Sequence, residues 1–250
     1  MVEQHYVGLL TEVETPHLRR MPDTDVLVYL SELPLPIFSG AVSPHFAPGT
    51  ELERAGQVLD VLFANGHPFQ WWTGPLSHRS DVAELVESRG LVGEGPVPGM
   101  HADLATVSLP EPDARVVVER CQTHEELLEA NRVFTEAFGM PEGLAATFAE
   151  VWSGMAGAIQ LVARVDGVAV GCAAGAALRG VMGVYNVGTL EAARRHGVGR
   201  AVTLELMRRG REQGCHSSIL HASEQGFPVY RALGYEHVTD VHQCVWVPEG

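Results

Sequence analysis

The sequence contains no lysine, so all 17 of its basic residues are arginines, and 31 acidic residues outnumber them. The resulting formal net charge of −14 argues against a nucleic-acid partner, because phosphate binding needs clustered cations. The longest apolar run, Val168–Leu178, is too short to span a membrane, and the acidic N-terminal segment lacks the cations of a secretory signal. We therefore expect a soluble, cytoplasmic protein with no nucleic-acid or membrane partner.

Cysteine is also scarce. The four cysteines lie far apart and form no CxxC pair, which is typical of reduced, buried thiols in a cytosolic protein. None of the 12 histidines stands in an HExxH motif or in another ligand-spaced pair. The sequence therefore predicts no metal site.

With 250 residues and 46% hydrophobic residues, the chain is long enough for one large domain or two ordinary ones. Two prolines within Leu109–Asp113 (LPEPD) indicate an exposed linker, which divides the chain into residues 1–110 and 113–250. The first part carries 14 acidic residues and 5 arginines. Such an excess either attracts a cationic amine or only keeps the surface soluble.

The part after the linker has a regular pattern of strands and helices. Thr123 and Glu126 form a capping box, and Asp166-Gly167 is a hairpin turn. The predicted strands are Val116–Glu119, Ile159–Val165, Val168–Leu178, Gly183–Leu190, Ser217–Ala222 and a strand pair within Glu236–Val247; the predicted helices are Thr123–Phe138, Glu142–Trp152, Gly199–Gln213 and Phe227–Leu233. This order predicts an α/β (α+β) fold, in which helices cover both faces of a mixed sheet.

The first part repeats that plan less regularly. The predicted strands are Asp25–Ser31, Ile37–Val42, Pro68–Trp72 and Met100–Leu104; the predicted helices are Thr50–Ala64, opened by a Thr50/Glu53 capping box, and Asp81–Arg89. Their order matches the closing elements of the second part and indicates an internal structural repeat. Trp71 and Trp72 should face opposite sides of a strand, so at most one is expected in the main core. The other would line a pocket or the interface between the two parts.

The segment Val187–Arg200 (VGTLEAARRHGVGR) contains a candidate anion site. Gly197 and Gly199 allow a tight turn where a helix begins, and the free amides of a helix N-terminus bind anions. Three arginines add positive charge, namely Arg194, Arg195 and Arg200. No Gly-Lys-Ser/Thr follows, and no third glycine or ribose-binding acid is in register, so the segment is neither a Walker A loop nor a Rossmann fingerprint.

Two motifs in this order resemble those of the GNAT acyl-CoA N-acyltransferases. Arg194-x-x-Gly197-x-Gly199 is similar to the family's pyrophosphate-binding loop, and Val187–Leu190 resembles its fourth strand, which splays from its neighbour. Ala222–Tyr235 resembles the family's Tyr-x-x-Leu-Gly-aromatic segment. The resemblance covers about 113–250. Residues 1–110 resemble the degenerate N-terminal half of two-lobed GNAT proteins.

The resemblance implies a GNAT fold in the second half, beside a smaller degenerate GNAT-like domain that walls the acceptor site. It implies acetyl-CoA as cosubstrate, a primary amine of a small molecule as acceptor, Tyr230 as general acid, and a backbone N–H near Thr189–Leu190 that polarises the thioester carbonyl. Ser223 either contacts the coenzyme or Tyr230, or caps the next helix. The implied coenzyme-binding residues are Val187, Gly188, Thr189, Leu190, Arg194, Arg195, His196, Gly197, Val198, Gly199, Arg200 and Ser223.

Several alternatives stay open at the level of sequence. The general base is Glu142, Glu150, Tyr185, Asn186, His221 or a group acting through water. The protein is alternatively a non-catalytic CoA-binding sensor or partner-binding protein, or an enzyme that acetylates proteins. The acyl chain length, the acceptor and the oligomeric state, a homodimer included, are not fixed.

Overall fold

The fold comes from a computed structural model that describes residues 1–13, 15–21, 23, 25–111, 114–155 and 157–248. Of the predicted linker, Pro112 and Asp113 lie outside the described residues, while Pro110 and Glu111 are exposed. The helices are α1 (Val2–Glu12), α2 (Glu51–Ala64), α3 (Ser80–Ser88), α4 (His124–Ala137), α5 (Leu144–Ser153), α6 (Val198–Glu212) and α7 (Phe227–Ala232). The strands are β1 (Arg19–Arg20), β2 (Leu27–Leu30), β3 (Gly40–Val42), β4 (Phe69–Thr73), β5 (Val92–Asp103), β6 (Val116–Arg120), β7 (Ala158–Val165), β8 (Val168–Leu178), β9 (Val181–Thr189), β10 (Ser217–His221) and β11 (Glu236–Trp246).

Within the described residues the strands form one 11-stranded mixed sheet, in the order β1-β2-β3-β4-β11-β5-β10-β9-β8-β7-β6. The pairs β3–β4 and β9–β10 are parallel, and each is connected through a helix, α2 or α6. The series β3-α2-β4-α3-β5 thus recurs as β9-α6-β10-α7-β11, which confirms the predicted repeat. The last strand of each series pairs with the other series, since β5 lies beside β10 and β11 beside β4. The sheet is therefore continuous across the two halves of the sequence.

Helices cover both faces of the sheet, as the pattern predicts. Successive residues of a strand point to opposite faces. Met182 of β9 packs in one core cluster with Leu206 of α6, whereas the preceding Val181 packs with Val2 of α1. The hairpin at Asp166-Gly167 is also confirmed, because both residues have positive φ, at 51° and 81°.

The first helix, α1, is absent from the sequence prediction, and it covers one of the two tryptophans. Trp71 packs on the side of α2 and α3, while Trp72 lies on the opposite face, with its ring 4.9 Å from that of Tyr6 in α1. Both tryptophans are therefore buried. Trp72 packs with Val181 and Ile219 of the second half, so the expectation of one tryptophan at the interface between the two parts is confirmed.

Strands β5 and β11 differ most from the prediction. β5 is 12 residues long and begins at Val92 rather than Met100, although it contains Pro96 and Pro98. Its pairing with β11 has two register shifts, one between His237 and Thr239 and one between His242 and Cys244. Such irregularities are how a strand with prolines and glycines is tolerated in a sheet. The predicted C-terminal strand pair is wrong, because Glu236–Trp246 is one irregular strand.

The two predicted capping boxes have different outcomes. Thr123 accepts a hydrogen bond from the Glu126 amide and Glu126 accepts from the Thr123 amide, which is the predicted box. Thr50 precedes α2 but its hydroxyl donates to Ala47 O at 2.9 Å, so the second box is wrong. The predicted strand Ile37–Val42 is likewise only partly strand, since Pro36–Phe38 is a 3-10 helix.

Candidate functional site

Strands β9 and β10 run side by side for only part of their length. Their parallel pairing ends at Val184–Leu220, whereas β9 continues to Thr189 and stays paired with β8 as far as Gly171. In the described chain, the edge of β9 that faces β10 is therefore unpaired beyond Val184. The predicted splaying of the two strands is confirmed.

A β-bulge lies in this open part of β9. Two residues, Asn186 and Val187, lie opposite the single residue Ala173 of β8. Asn186 has a φ of 50°, a left-handed conformation that asparagine tolerates better than most residues. Sequence reasoning missed the bulge, although an asparagine within an otherwise apolar strand is a signal for it.

The backbone after the bulge presents amides to the open edge. The Leu190 amide donates to Val170 O of β8 at 2.9 Å, so it is not available to polarise a thioester carbonyl. Successive N–H groups of a strand point to opposite edges, so the Thr189 and Val187 amides point away from β8. Of the two amides at Thr189–Leu190 that could polarise a thioester carbonyl, only the Thr189 amide therefore stays a candidate.

The N-terminus of α6 follows after a 3-10 turn at Glu191–Ala193. Gly197 is its N-cap residue, with a left-handed φ of 79°. The Ala201 amide donates to Gly197 O at 2.9 Å, so the amides of Val198, Gly199 and Arg200 precede the first bond of the helix. These N–H groups and the positive end of the helix dipole form a candidate anion site.

The loop before α6 lies against the end of β9. A side chain added at Gly199 would begin 3.6 Å from Thr189 Oγ1 and 3.9 Å from Val187 Cγ1. Arg194 and Arg195 are exposed and Arg200 is half-buried, and all three are close in sequence to the N-cap residue Gly197. The open edge of β9 and the anion site thus form one continuous surface.

Tyr230 of α7 lies in the core cluster beside β10. Its side chain is 8% exposed, and its ring centroid lies 6.0 Å from that of Tyr235. Burial raises the pKa of Tyr230 to about 12. Its hydroxyl makes no hydrogen bond with any residue that the structure describes, so the proton remains available for donation.

Ser223 caps the turn that leads into α7. Its hydroxyl oxygen accepts a hydrogen bond from the Gly226 amide at 3.1 Å, which is the capping alternative of the sequence analysis. A side chain at Gly226 would lie 2.7 Å from Tyr230 Cε2 and 3.2 Å from Ser223 Oγ. Gly226 therefore lets Ser223 and Tyr230 approach each other.

The candidate bases from the sequence lie in very different places. Glu142 is exposed, and the exposed Glu150 accepts a hydrogen bond from His17 Nε2 at 2.7 Å. The Tyr185 hydroxyl lies 2.8 Å from His5 Nδ1 in α1, and burial raises the Tyr185 pKa well above its usual value. His221 lies at the end of β10, on the face that α1 covers.

The hydrogen bonds of His5 fix its tautomer. Its Nε2 lies 3.2 Å from Ala176 O and 3.3 Å from Val181 O, which can only accept, so Nε2 carries the proton. Burial lowers the pKa of His5, so the ring is neutral and Nδ1 accepts a hydrogen bond from the Tyr185 hydroxyl. Sequence reasoning missed His5, although Val2, Tyr6, Leu9 and Val13 have the spacing of a buried helix face.

His221 is the least satisfied of these groups. Its Nε2 is buried without a hydrogen-bond partner among the described residues. Its ring contacts Tyr6 and Trp72, with centroids 5.8 and 5.7 Å away. Burial lowers its pKa to about 4, so the ring is neutral near pH 7.

Neither a metal site nor a membrane span emerges from the described residues. No group of three or more histidine, cysteine, aspartate or glutamate side chains is placed there to hold a metal ion. None of the described helices is long and apolar enough to cross a bilayer.

The fold is shared with several solved structures. A GCN5-related N-acetyltransferase from Kribbella flavida superposes with a TM-score of 0.77 at 21% identity, over 100% of this chain and 95% of that one. A tandem GNAT protein from the clavulanic acid biosynthesis pathway gives 0.63 at 13% identity, over 100% and 89%. A GCN5-related N-acetyltransferase from Sphaerobacter thermophilus gives 0.61 at 15% identity, over 89% and 80%.

Sequence comparison identifies one domain within the chain. Comparison with curated proteins finds no significant match. The model of the acetyltransferase (GNAT) family matches residues 124–235, a range that contains the splayed strands, the loop before α6 and Tyr230. Residues 124–235 are therefore a domain of the acetyltransferase (GNAT) family.

Proposed function

We propose that this protein is an N-acetyltransferase that moves an acetyl group from acetyl-CoA to the primary amine of a small molecule. One observation carries the proposal: the open edge of β9 leads directly to the free amides at the start of α6. A long chain ending in a diphosphate fits such a surface, because extended backbone pairs with its amides and a helix N-terminus with its phosphates.

The residues that would hold acetyl-CoA are those of the strand end and of the loop. Backbone groups of Val187–Leu190 would pair with the pantetheine arm, and the amides around Gly197–Arg200 would hold the diphosphate. Arg194, Arg195 and His196 line the exposed side of the loop. Because Ser223 already caps the turn before α7, a coenzyme contact from it would be an additional one.

The chemistry proceeds by direct attack of the amine on the thioester. In this proposal the Thr189 amide polarises the carbonyl, and Tyr230 protonates the departing sulfur. Burial raises the pKa of the Cys172 thiol to about 12. A thiol held protonated in this way is a poor nucleophile, which favours direct transfer over an acyl-cysteine intermediate.

We propose that residues 113–250 hold the coenzyme and residues 1–110 wall the acceptor site. The first part lacks an Arg-x-x-Gly-x-Gly loop. At the repeat-related ends of β3 and β4, the Glu3 carboxylate accepts hydrogen bonds from the Ser43 and Ser77 hydroxyls and from the Leu76 amide. In the first repeat, the Glu3 carboxylate thus takes the hydrogen-bond donors that a bound ligand would otherwise use.

Two measurements test the proposal. Calorimetry with acetyl-CoA should show saturable 1:1 binding, and no binding would refute the assignment at its base. Release of CoA thiol is then followed with a thiol reagent across a panel of primary amines, with peptides as a separate arm. Turnover with a small amine supports the proposal. Binding without any turnover indicates a CoA sensor, and turnover with peptides alone indicates a protein acetyltransferase.

A further inference from the structure

One buried polar atom in the domain lacks a partner at the point where the strands separate. His221 is the last residue of β10 and directly follows Leu220, whose pairing with Val184 is the last contact between β10 and β9. Its Nε2 is buried and makes no hydrogen bond within the described chain. Buried polar side-chain atoms are normally paired, because an unpaired one loses its bonds to water without replacement.

The surroundings of His221 come from both halves of the chain. Tyr6 of α1 and Trp72 of β4 contact the imidazole from the first half. Tyr6 is half-buried, and its hydroxyl accepts a hydrogen bond from Gln70 Nε2 at 3.2 Å. Trp72 is 3% exposed and holds its position through the core. The aromatic contacts therefore fix the orientation of the His221 ring, while its Nε2 has no hydrogen-bond partner among the described residues.

The other candidate general bases are exposed, already hydrogen-bonded or not titratable. The Tyr185 hydroxyl donates to His5 Nδ1, and Glu150 pairs with His17 at the surface. Glu142 is exposed. Asn186 has no titratable group and shapes the bulge in β9. Of the five residues, only His221 has, at the separation of the strands, a buried titratable atom without a hydrogen-bond partner in the described chain.

We propose that His221 is the residue that binds the acceptor amine and takes its proton, an inference that rests on the proposed acetyl transfer. An amine N–H donates to Nε2 of the neutral ring. As the nitrogen attacks and the new C–N bond forms, this proton passes to Nε2. The C–S bond then breaks with its electron pair on sulfur, which takes the Tyr230 proton. Exchange with solvent afterwards returns a proton to Tyr230 and removes one from His221.

The geometry also selects the form of the substrate. A neutral imidazole flanked by Tyr6 and Trp72 offers a hydrogen-bond acceptor and ring surface. The only charged or titratable group of the described residues that shifts the pKa of this imidazole is His5, which is not a carboxylate. Such a site takes the uncharged form of a primary amine, preferably one carrying a flat apolar group, since an ammonium ion would lose its hydration without an opposite charge. Benzylamine is therefore the probe of choice, and putrescine its dicationic counterpart.

The first test needs no turnover. Protein with 13C-labelled histidine rings, saturated with CoA, is titrated with benzylamine and observed by NMR. The His221 resonance, assigned by its loss in His221→Gln, should shift saturably. The His101 resonance should not, because His101 lies on the same face but its Nε2 bonds to Ser217 Oγ at 3.0 Å. An unshifted His221 resonance together with bound benzylamine, detected by ligand NMR, would overturn the proposal.

The second test separates this inference from the proposed function. For His221→Gln and His221→Phe we expect kcat/KM for the best amine of the panel to fall by about 10²–10⁴-fold, with the Kd for acetyl-CoA within twofold. His101→Gln is the matched control and should keep kcat/KM. If wild-type protein turns over amines and His221→Phe retains its kcat/KM, this inference fails while the proposed function stands. If the wild type neither binds nor turns over, the proposed function fails first.

Discussion

His5 and Tyr185 connect the first helix of the chain to the strand that borders the open edge. His5 Nδ1 accepts a hydrogen bond from the Tyr185 hydroxyl at 2.8 Å, and their rings stack with centroids 6.0 Å apart. The contact is close because Gly183 of β9 has no side chain beneath the two rings. The position of α1, and with it Tyr6, therefore depends on one glycine of the GNAT domain.

Gly183→Ala should destabilise the protein. Its Cβ would overlap the His5 ring and lie 2.6 Å from Tyr185 Cε2, and such overpacking costs about 1–3 kcal/mol. Gly56→Ala, in α2 with no atom within 4 Å of the new Cβ, is the control and should stabilise by about 0.5–1 kcal/mol. Urea unfolding of both variants measures the two opposite changes. Equal stability of Gly183→Ala and wild type would show that α1 packs differently.

Gly197 allows a test of the anion site. Its φ of 79° is accessible to asparagine but strained for most residues, and no atom lies within 4 Å of an added Cβ. Gly197→Glu should weaken acetyl-CoA binding by at least about tenfold. Its carboxylate would take the place of the diphosphate at the positive end of the helix dipole and repel it. Gly197→Asn keeps the conformation and should stay within a few-fold of wild type. Equal calorimetric affinities for the two variants would argue against a diphosphate at this site.

Tyr230→Phe tests the general acid. The substitution leaves the ring in the core and removes only a hydroxyl that has no described partner. We expect kcat to fall by about 10²-fold with an unchanged Kd for acetyl-CoA. The thiol of CoA is a good leaving group near neutral pH, so a residual rate should remain. A variant with the kcat of wild type would eliminate the role of Tyr230 as acid.

Local signals in the sequence predicted much of the domain that carries the loop. The strand Val168–Leu178, the box at Thr123 and the glycines before α6 follow from short-range rules of turn and helix chemistry. The irregular strand β5 could not be read in this way, because prolines and glycines argue against a central strand and only its partners β10 and β11 impose one. His221 could not be singled out either. Its surroundings are formed by Tyr6 and Trp72, which are more than 140 residues away in sequence.

The two threonines that precede helices provide a comparison between real and apparent caps. Thr123→Ala removes a side-chain acceptor for the Glu126 amide and should cost about 1 kcal/mol of unfolding free energy. Thr50→Ala removes only a hydroxyl that donates to Ala47 O outside the helix, so its cost should lie within about 0.5 kcal/mol. Urea midpoints at constant m-value measure both. A larger loss of unfolding free energy for Thr50→Ala would show that Thr50 caps α2, contrary to the structure.

The buried histidines predict how stability depends on pH. Burial lowers the pKa of His5 and His221 in the folded protein, to about 4 for His221, whereas the unfolded chain keeps a value near 6.5. Below pH 6.5 the unfolded state thus binds protons that the folded state does not, so stability is full above about pH 6.5 and is lost as the pH falls towards 4. Each such histidine contributes a slope of at most about 1.4 kcal/mol per pH unit. His221→Gln should lower the slope between pH 6 and pH 4.5 by about one proton, measured by urea unfolding at each pH. Parallel curves for the variant and the wild type would mean that the His221 ring protonates as readily in the folded protein as in the unfolded chain.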